Sequence, residues 1–245
     1  MRSANANPLR RRVFEAAAVV ALMFVGTGPF EANAQAPSAS SEVPDLSGIW
    51  KRAERREVLT PLRLNARAEA LRGVLDERAY PKYDCVAATM PRIVTDSYNF
   101  QIQQQADRVL LMFEKDDVVR TVWLEGYGHP VPSVGEYFLQ GYSIGRYEGA
   151  ELVVETTKFT YDPHGFSDGS PTIASSQRKT VSERYWLDEG RLRVEVVTED
   201  PLMILEPNRF RYAWDRTDEE WLEFACDIEN SHTVLPFLTP QYGVP

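Results

Sequence analysis

The stretch that decides the fold runs from Gln177 to Glu199 and reads QRKTVSERYWLDEGRLRVEVVTE. Its second half places apolar and mostly charged residues at alternate positions: Leu192, Val194, Val196 and Thr198 against Arg191, Arg193, Glu195 and Val197. Successive side chains of a β-strand point to opposite faces, so this pattern predicts a strand with one apolar and one charged face. The short Asp188-Glu189-Gly190 connection is typical of a turn between antiparallel neighbours.

The same pattern extends along the chain from Ser97 onward. Runs rich in β-branched and aromatic residues predict strands near 97–104, 108–114, 118–124, 137–147, 151–159, 177–187, 191–199, 207–215 and 220–227. No helix-length crossover separates them, so connection length excludes a parallel sheet. Since an open meander of this size would leave long exposed edges, we predict a mainly β protein, an antiparallel β-barrel of about nine or ten strands.

One helix is predicted ahead of these strands. Thr60 is placed to cap it, Pro61 suits its first position, and Pro81 ends it. Its apolar face consists of residues three or four apart: Leu64, Ala68, Leu71 and Leu75. The segment 83–92 is predicted to be a loop.

The first 34 residues have the layout of a secretory signal peptide. Arg10, Arg11 and Arg12 precede an apolar run from Ala16 to Val25, and Ala32-Asn33-Ala34 offers a cleavage site. The apolar run is too short for a permanent membrane anchor. Ordinary secretory export and twin-arginine export both remain open, and we predict a periplasmic or secreted protein. Residues 35–44 follow as a flexible leader, and 45–240 as the β-barrel domain.

The charge of the chain restricts its partners. Without residues 1–34 the chain loses four arginines and two glutamates, so its formal charge moves from −9 to −11. A surface this acidic repels phosphate backbones and anionic headgroups, so nucleic acid is not an expected partner.

Two cysteines, Cys85 and Cys226, lie in the exported part of the chain. In an oxidising compartment the simplest prediction is a structural disulfide between them. In the chain-entropy model, closing so long a loop stabilises the fold by roughly 4–5 kcal/mol. A reactive or metal-binding thiol is the alternative.

Gly48-Ile49-Trp50 opens the first strand with the Gly-x-Trp placement of lipocalins and related calycin barrels, in which the Trp closes one end of the barrel and often stacks under an Arg. Further segments widen the match: Asp45–Trp50, Leu59-Thr60-Pro61, Cys85, Pro91-Arg92, Arg120, Gly126, His129-Pro130, Ser143–Gly149, Leu152–Thr157, Glu183-Arg184 and Cys226. Over residues 45–230 the chain resembles a family of exported bacterial lipocalin-like proteins of unassigned activity. The resemblance implies a lipocalin-like barrel and says little about chemistry.

The chain departs from that family pattern at three places. Glu125-Gly126-Tyr127-Gly128 precedes His129 where members usually have Asp-Gly-Arg, and Ala150-Glu151 follows Gly149 where they often have Asp-Thr. Gln177 and Thr180 stand where an Asp and a His are usual. Any acid and base roles of those groups are absent from this chain.

Polar residues at fixed positions supply the candidate site. His129 lies among glycines and prolines that would fix its backbone, and beside Glu125 and Tyr127. A proton-transfer group requires such a fixed placement. The loop 162–169 carries Asp162, His164, Ser167 and Asp168, and is either a barrel-mouth loop or a polar surface turn. The third histidine is His232. A metal centre assembled from the three histidines is a minor alternative, and no metal site is predicted.

Charges inside predicted strands are costly unless they are paired or face solvent. We predict Arg92, Arg120, Tyr127, Glu148 and Arg184 as ligand-binding residues. The predicted catalytic residues are His129 as acid or base, Arg146 as an electrostatic stabiliser and Glu183 as its partner or a second proton carrier. Trp50, Cys85 and Cys226 are predicted to be structural.

Three functions follow from this pattern. The first is a barrel that binds a small, largely apolar or aromatic molecule. The second is a lyase, hydratase or isomerase that needs no cofactor, as the resemblance to calycin-like barrels implies. Hydrolase signals are missing, since no nucleophile elbow, phosphate loop or dinucleotide fingerprint is present. The third is an envelope interaction module without a cavity. The aromatic residues fit a ligand cavity and a solid core equally well.

Overall fold

Ten strands form one sheet in the computed structural model, which describes residues 43–166 and 173–238. The strands are β1 Gly48–Arg52, β2 Glu57–Thr60, β3 Phe100–Gln104, β4 Arg108–Phe113, β5 Val118–Leu124, β6 Tyr142–Glu148, β7 Glu151–Thr157, β8 Thr180–Asp188, β9 Arg191–Glu199 and β10 Asn208–Thr217. The helices are α1 Ala66–Arg72 and α2 Ile228–His232, with short 3₁₀ turns at Glu77–Ala79, Pro81–Asp84, Ile93–Thr95, Lys115–Asp117 and Leu235–Phe237. The predicted signal peptide and residues 35–42 of the predicted leader lie outside the described residues.

The sheet closes into a barrel through β1. This strand pairs with β3 on one side and with β10 on the other, so β1 and β3 to β10 form a continuous ring. The remaining strand, β2, pairs with β10 beside β1. The prediction of a mainly β, closed barrel of about nine or ten strands is therefore confirmed, while β2 was missed because four residues give too short an alternation to recognise.

One neighbouring pair departs from the antiparallel pattern. β5 and β6 run parallel and pair over three residues on each strand, Val122–Leu124 with Ser143–Gly145. The seventeen residues between Leu124 and Tyr142 bring the chain back to the start of the next strand without a helix. The sequence-based exclusion of parallel pairing was wrong at this point, because a long irregular loop serves as the crossover.

The interior of the barrel is filled by side chains from nearly every strand. The apolar face predicted for β9 points inward, and Leu192, Val194 and Val196 are fully buried. They belong to one cluster that also holds Phe100, Phe113, Tyr212 and Trp214. The aromatic residues of the strands therefore contribute mainly to a packed core, which was one of the two possibilities left open by the sequence.

Trp50 belongs to this core, and an arginine lies over its ring, as the Gly-x-Trp resemblance implies. Its ring is fully buried, its Nε1 donates to Leu46 O at 3.0 Å, and the Arg216 guanidinium lies 4.5 Å above it. Gly48 has a φ of +134°, and a Cβ atom there would lie 2.3 Å from Arg216 Nη1. The glycine is needed because any side chain would displace the arginine from the tryptophan.

Helix α1 is shorter than predicted and starts later. Thr60 belongs to β2, and the N-cap is Asn65, whose side chain accepts from Ala68 N at 3.0 Å. The helix ends at Arg72, well before Pro81. The predicted apolar face is present, since Ala68 and its neighbours pack against Met203 and Ile204 in a second, smaller core.

The chain after β10 does not form the strand predicted at 220–227. Its backbone amides instead bind carboxylates, Leu222 N at 3.0 Å from Glu114 and Phe224 N at 3.3 Å from Asp117. Cys226 then reaches Cys85, and the disulfide predicted from the sequence is present. The bond thus holds a tail that follows the last strand, not the last strand itself. Within residues 43–166 and 173–238, no helix combines the length and apolar character needed to span a bilayer.

Candidate functional site

A cleft of about 390 Å³ lies where β5 and β6 separate. Because only Val122–Leu124 pair with β6, the first half of β5 has no hydrogen-bonded strand on that side within the described residues. The long β5–β6 connection forms the opposite wall. The lining combines aromatic and apolar side chains with a few polar ones: Val119, Arg120, Thr121, Trp123, Pro130, Val131, Pro132, Glu136, Phe138, Gln140, Gly141, Tyr142 and Ser143.

The sequence of the connection explains why it stands away from β5. Phe138 forms an isolated bridge to Phe159, and its backbone N donates to Lys158 O at 2.9 Å, so this part of the chain lies against the segment after β7. Gly141 then turns the chain into β6 with a φ of +71°, and a Cβ there would lie 2.8 Å from Thr157 O. Only a glycine allows both the turn and this close approach.

The floor of the cleft includes Arg120, which belongs to a buried ion pair. Arg120 points inward because it shares the inward parity of Val118 and Val122 on β5. Its two Nη atoms donate to the Glu183 carboxylate at 3.0 and 2.6 Å, and Nη2 also lies 3.1 Å from Thr156 Oγ1. The Arg120 side chain is 1% exposed and that of Glu183 is 0% exposed. Both residues were named from the sequence, but their pairing was not.

Charge compensation governs the protonation of this pair. Burial alone would lower the pKa of Arg120, but the Glu183 carboxylate outweighs burial and holds that pKa above its ordinary value. Burial, together with the charge of Glu183, raises the pKa of Tyr185 well above its ordinary value, and the Tyr185 hydroxyl donates to Glu183. Arg120 therefore stays protonated, and the neighbouring Tyr185 hydroxyl keeps its proton.

His129 lies at the rim of the cleft, as part of a pair that the sequence did not reveal. Its Nδ1 is 2.6 Å from the hydroxyl of Tyr142, which lines the cleft, and its ring lies 6.4 Å from that of Trp123. Burial raises the pKa of Tyr142. Tyr127 is 53% exposed and does not line this cleft. The rim thus joins an imidazole and a phenol, which together can relay a proton.

Arg146 does not meet Glu183, contrary to the predicted catalytic trio. Alternation along β6 directs Ser143 and Gly145 inward and Arg146 outward, where it pairs with Glu148 at 2.7 Å and Glu155 at 3.3 Å. Arg184 likewise faces outward and pairs with Glu148 at 3.1 Å. Arg146, Glu148 and Arg184 thus form a ladder of ion pairs on the outer surface, because neighbours of inward residues on a strand face solvent.

Arg92 lies in a second buried polar cluster, away from the cleft lining. Its guanidinium contacts His164 Nδ1, and the imidazole of His164 stacks on Tyr80 with ring centres 4.8 Å apart. Asp162 Oδ1 accepts from His164 N at 2.8 Å. The start of the 162–169 loop is therefore buried, not a surface turn, whereas Ser167, Asp168 and Gly169 lie outside the described residues.

Lys179 forms the centre of that second cluster and was not singled out by the sequence. Its side chain is fully enclosed, and Nζ donates to Thr89 Oγ1 at 3.1 Å, Met90 O at 2.6 Å and Ser175 Oγ at 2.9 Å. Burial lowers the pKa of Lys179 to about 8, against the nearby carboxylates of Asp162 and Asp200, which raise it. Three acceptors satisfy the ammonium group, so its role is to hold the 89–90 and 175–179 segments together.

The three histidines are far from one common site. His232 pairs with Asp84 at 3.0 Å near the disulfide, His164 is in the Lys179 cluster and His129 is at the cleft. Within residues 43–166 and 173–238, no three side chains of His, Cys, Asp or Glu are grouped to hold a metal ion.

Comparisons with known proteins add little to this geometry. No family model and no curated protein matches the chain. Among solved structures it is similar to the wild-type fluorescent protein UnaG, with 15% identity, a TM-score of 0.32, and 70% of this chain and 97% of that chain covered. It is also similar to apo lipid binding protein 8 of Caenorhabditis elegans, with 10% identity, a TM-score of 0.35, and 74% and 98% covered. The chain is a closed β-barrel protein by its own strand pairing, with a cleft in the barrel wall.

The Arg120–Glu183 pair predicts a large difference between two glutamate substitutions. Glu183→Gln leaves a buried guanidinium without its counter-charge, and we expect a loss of about 3–5 kcal/mol in the free energy of unfolding. The matched control is Glu151→Gln on the outer surface, where the carboxylate pairs with Arg184 at 2.8 Å and is 37% exposed. There we expect a loss below about 1 kcal/mol. Urea unfolding followed by circular dichroism measures both, and equal losses would contradict the prediction.

The lowered pKa of Lys179 predicts a specific pH dependence of stability. Between about pH 8 and the ordinary lysine pKa near 10.4, the folded protein binds fewer protons at this site than the unfolded chain does. The stability of the wild type relative to Lys179→Met should therefore rise with pH in this window, by at most about 1.4 kcal/mol per pH unit.

Urea unfolding of both proteins at pH 7, 8, 9 and 10 measures this relative stability. Lys51→Met, at a side chain that is 53% exposed, controls for the loss of a surface lysine. A difference between wild type and Lys179→Met that stays flat or falls from pH 8 to 10 would contradict the prediction.

Proposed function

We propose that this protein is an exported lipocalin-like barrel that binds a small, largely apolar or aromatic molecule in the cleft between β5 and β6. The observation that carries the proposal is the cleft itself, about 390 Å³ in volume, with aromatic walls above a polar floor. Binding sites for small molecules combine mostly apolar walls with a few placed polar groups. The signal-like first 34 residues support a periplasmic or secreted location.

The wall of the barrel is favoured over its centre as the binding position. Inward residues such as Ile102, Leu111, Val154 and Val194 are fully buried against one another. A ligand at the centre would have to displace them, whereas the cleft is already open to solvent. Its volume accommodates a molecule with two or three fused or linked rings.

Binding can be tested with N-phenyl-1-naphthylamine, a neutral aromatic probe whose emission rises in an apolar environment. We expect saturable binding to the wild type, weakened about three- to tenfold by Trp123→Ala, because a stacked aromatic contact contributes about 0.5–1.5 kcal/mol. Fluorescence titration measures the dissociation constant.

Trp186→Ala provides a matched control for this titration. Both tryptophans are half-buried on the outer face of a strand and lie beneath an arginine, Trp123 under Arg108 at 4.7 Å and Trp186 under Arg211 at 5.5 Å, but only Trp123 lines the cleft. Equal weakening by both substitutions, or no saturable binding of this probe or of an aromatic compound panel, would overturn the proposal. The latter result would favour an interaction module without a ligand.

A second candidate function, a lyase, hydratase or isomerase without a cofactor, is favoured by one observation. The 2.6 Å contact between His129 and Tyr142 places a proton-transfer pair at the rim of the cleft. In this version Arg120 takes the place of Arg146, since it is the arginine that lines the cleft. Surface ion pairs hold Arg146 away from the cleft.

Mass spectrometry of compounds incubated with the protein tests this second function. For any compound that is converted, we expect His129→Ala to reduce the rate by about 10²–10⁴-fold, the usual contribution of a positioned acid or base. His232→Ala, at a histidine paired with Asp84 outside the cleft, should leave the rate unchanged. Turnover that survives His129→Ala at the wild-type rate would remove the catalytic assignment.

A further inference from the structure

Two polar atoms of the cleft have no hydrogen-bond partner among the described residues. One is Nε of Arg120, a donor, and the other is Oε1 of Gln140, an acceptor, and both atoms are shielded from solvent. Both residues line the cleft. A buried polar atom without a partner is unfavourable, so a molecule that displaces the shielding side chains and supplies the missing bond is favoured.

The hydrogen bonds of the neighbouring atoms explain why these two atoms lack a partner. Nη1 of Arg120 donates to Glu183, and Nη2 donates to Glu183 with Thr156 and Ser143 beside it, so Nε is the one guanidinium nitrogen without a partner. Gln140 Nε2 donates to Ala88 O at 2.8 Å, and a carbonyl accepts only from a donor, so the amide oxygen is the atom that remains. Among the described residues, the buried side-chain atoms at the lining without a partner are therefore one donor and one acceptor.

The charge of the cleft argues against an anionic ligand. Arg120 is already paired with Glu183, and the other acidic or basic residue at the lining is the exposed Glu136. A carboxylate entering the cleft would therefore meet no unpaired basic residue at the lining and would lie near an acidic one. It would also lose its hydration in an apolar site, which is strongly unfavourable without a counter-charge.

We propose, as a refinement that rests on the function proposed above, that the cleft selects a neutral aromatic molecule bearing a hydroxyl or primary amide group. Such a group accepts from Arg120 Nε and donates to Gln140 Oε1, whereas an ether or ketone can only accept. Its ring lies among Trp123, Phe138 and Tyr142. The polar residues of the cleft thus select the ligand by its hydrogen-bonding group and its charge, and the aromatic walls contact its ring.

Three ligands with one skeleton separate these effects: naphthalene, 2-naphthol and 2-naphthoate at pH 7, each measured by displacement of N-phenyl-1-naphthylamine from the wild type. We expect 2-naphthol to bind about tenfold more tightly than naphthalene, since two hydrogen bonds each contribute modestly, and 2-naphthoate to bind more weakly than 2-naphthol. In Gln140→Met the advantage of 2-naphthol over naphthalene should shrink to about threefold or less. Naphthalene binding should stay within about twofold of the wild type.

Gln103→Met is the matched control, because Gln103 is exposed on β3 and does not line the cleft. It should retain the full advantage of 2-naphthol. Equal binding of all three compounds, or tightest binding of 2-naphthoate, would overturn the head-group proposal while leaving the proposed function in place. Failure of all three compounds and of the probe to bind would overturn the proposed function itself. The comparison among ligands uses the wild type, so it stands even if Gln140→Met does not fold.

Discussion

The pairing of β1 with strands on both of its sides is the constraint on which the rest of the structure depends. Once β1 joins β3 to β10, the sheet has an inside and an outside, and every strand residue is assigned to one of them by alternation. Arg120 and Glu183 fall inside, where each needs the other, while Arg146 and Arg184 fall outside and pair with surface carboxylates. The chemistry of the cleft therefore follows from closure of the barrel as much as from the residues that line it.

Much of this fold could be predicted from the sequence, because alternation and short turns are local signals. The inward face of β9 and the hairpin at 188–190 were both predicted correctly. The disulfide followed from the presence of only two cysteines. The parallel β5–β6 pair was not predictable in this way, because nothing in residues 125–141 specifies on which side the chain returns. The N-cap of helix α1 at Asn65 was also missed, because Thr60 gave an equally good capping signal.

The candidate site was predicted only in part, since its partners are distant in the sequence. Arg120, Glu183 and His129 were named, but not that Arg120 meets Glu183 or that His129 meets Tyr142. A usable signal was present for the first pair. Arg120 interrupts the apolar row of Val118 and Val122 on β5, and Glu183 interrupts that of Val181 and Tyr185 on β8. Two opposite charges at inward positions must lie close together or be neutralised. No comparable signal marks Lys179, whose three acceptors come from loops.

The short pairing between β5 and β6 has a consequence for how the barrel moves. Three residue pairs join these strands, whereas six join β4 to β5 and seven join β6 to β7. Fewer backbone hydrogen bonds break when β5 and β6 separate than when either of these neighbouring pairs does, so local opening is less unfavourable beside the cleft than at those two positions. Under the proposed function, a molecule would enter or leave the cleft by a small separation of these two strand ends.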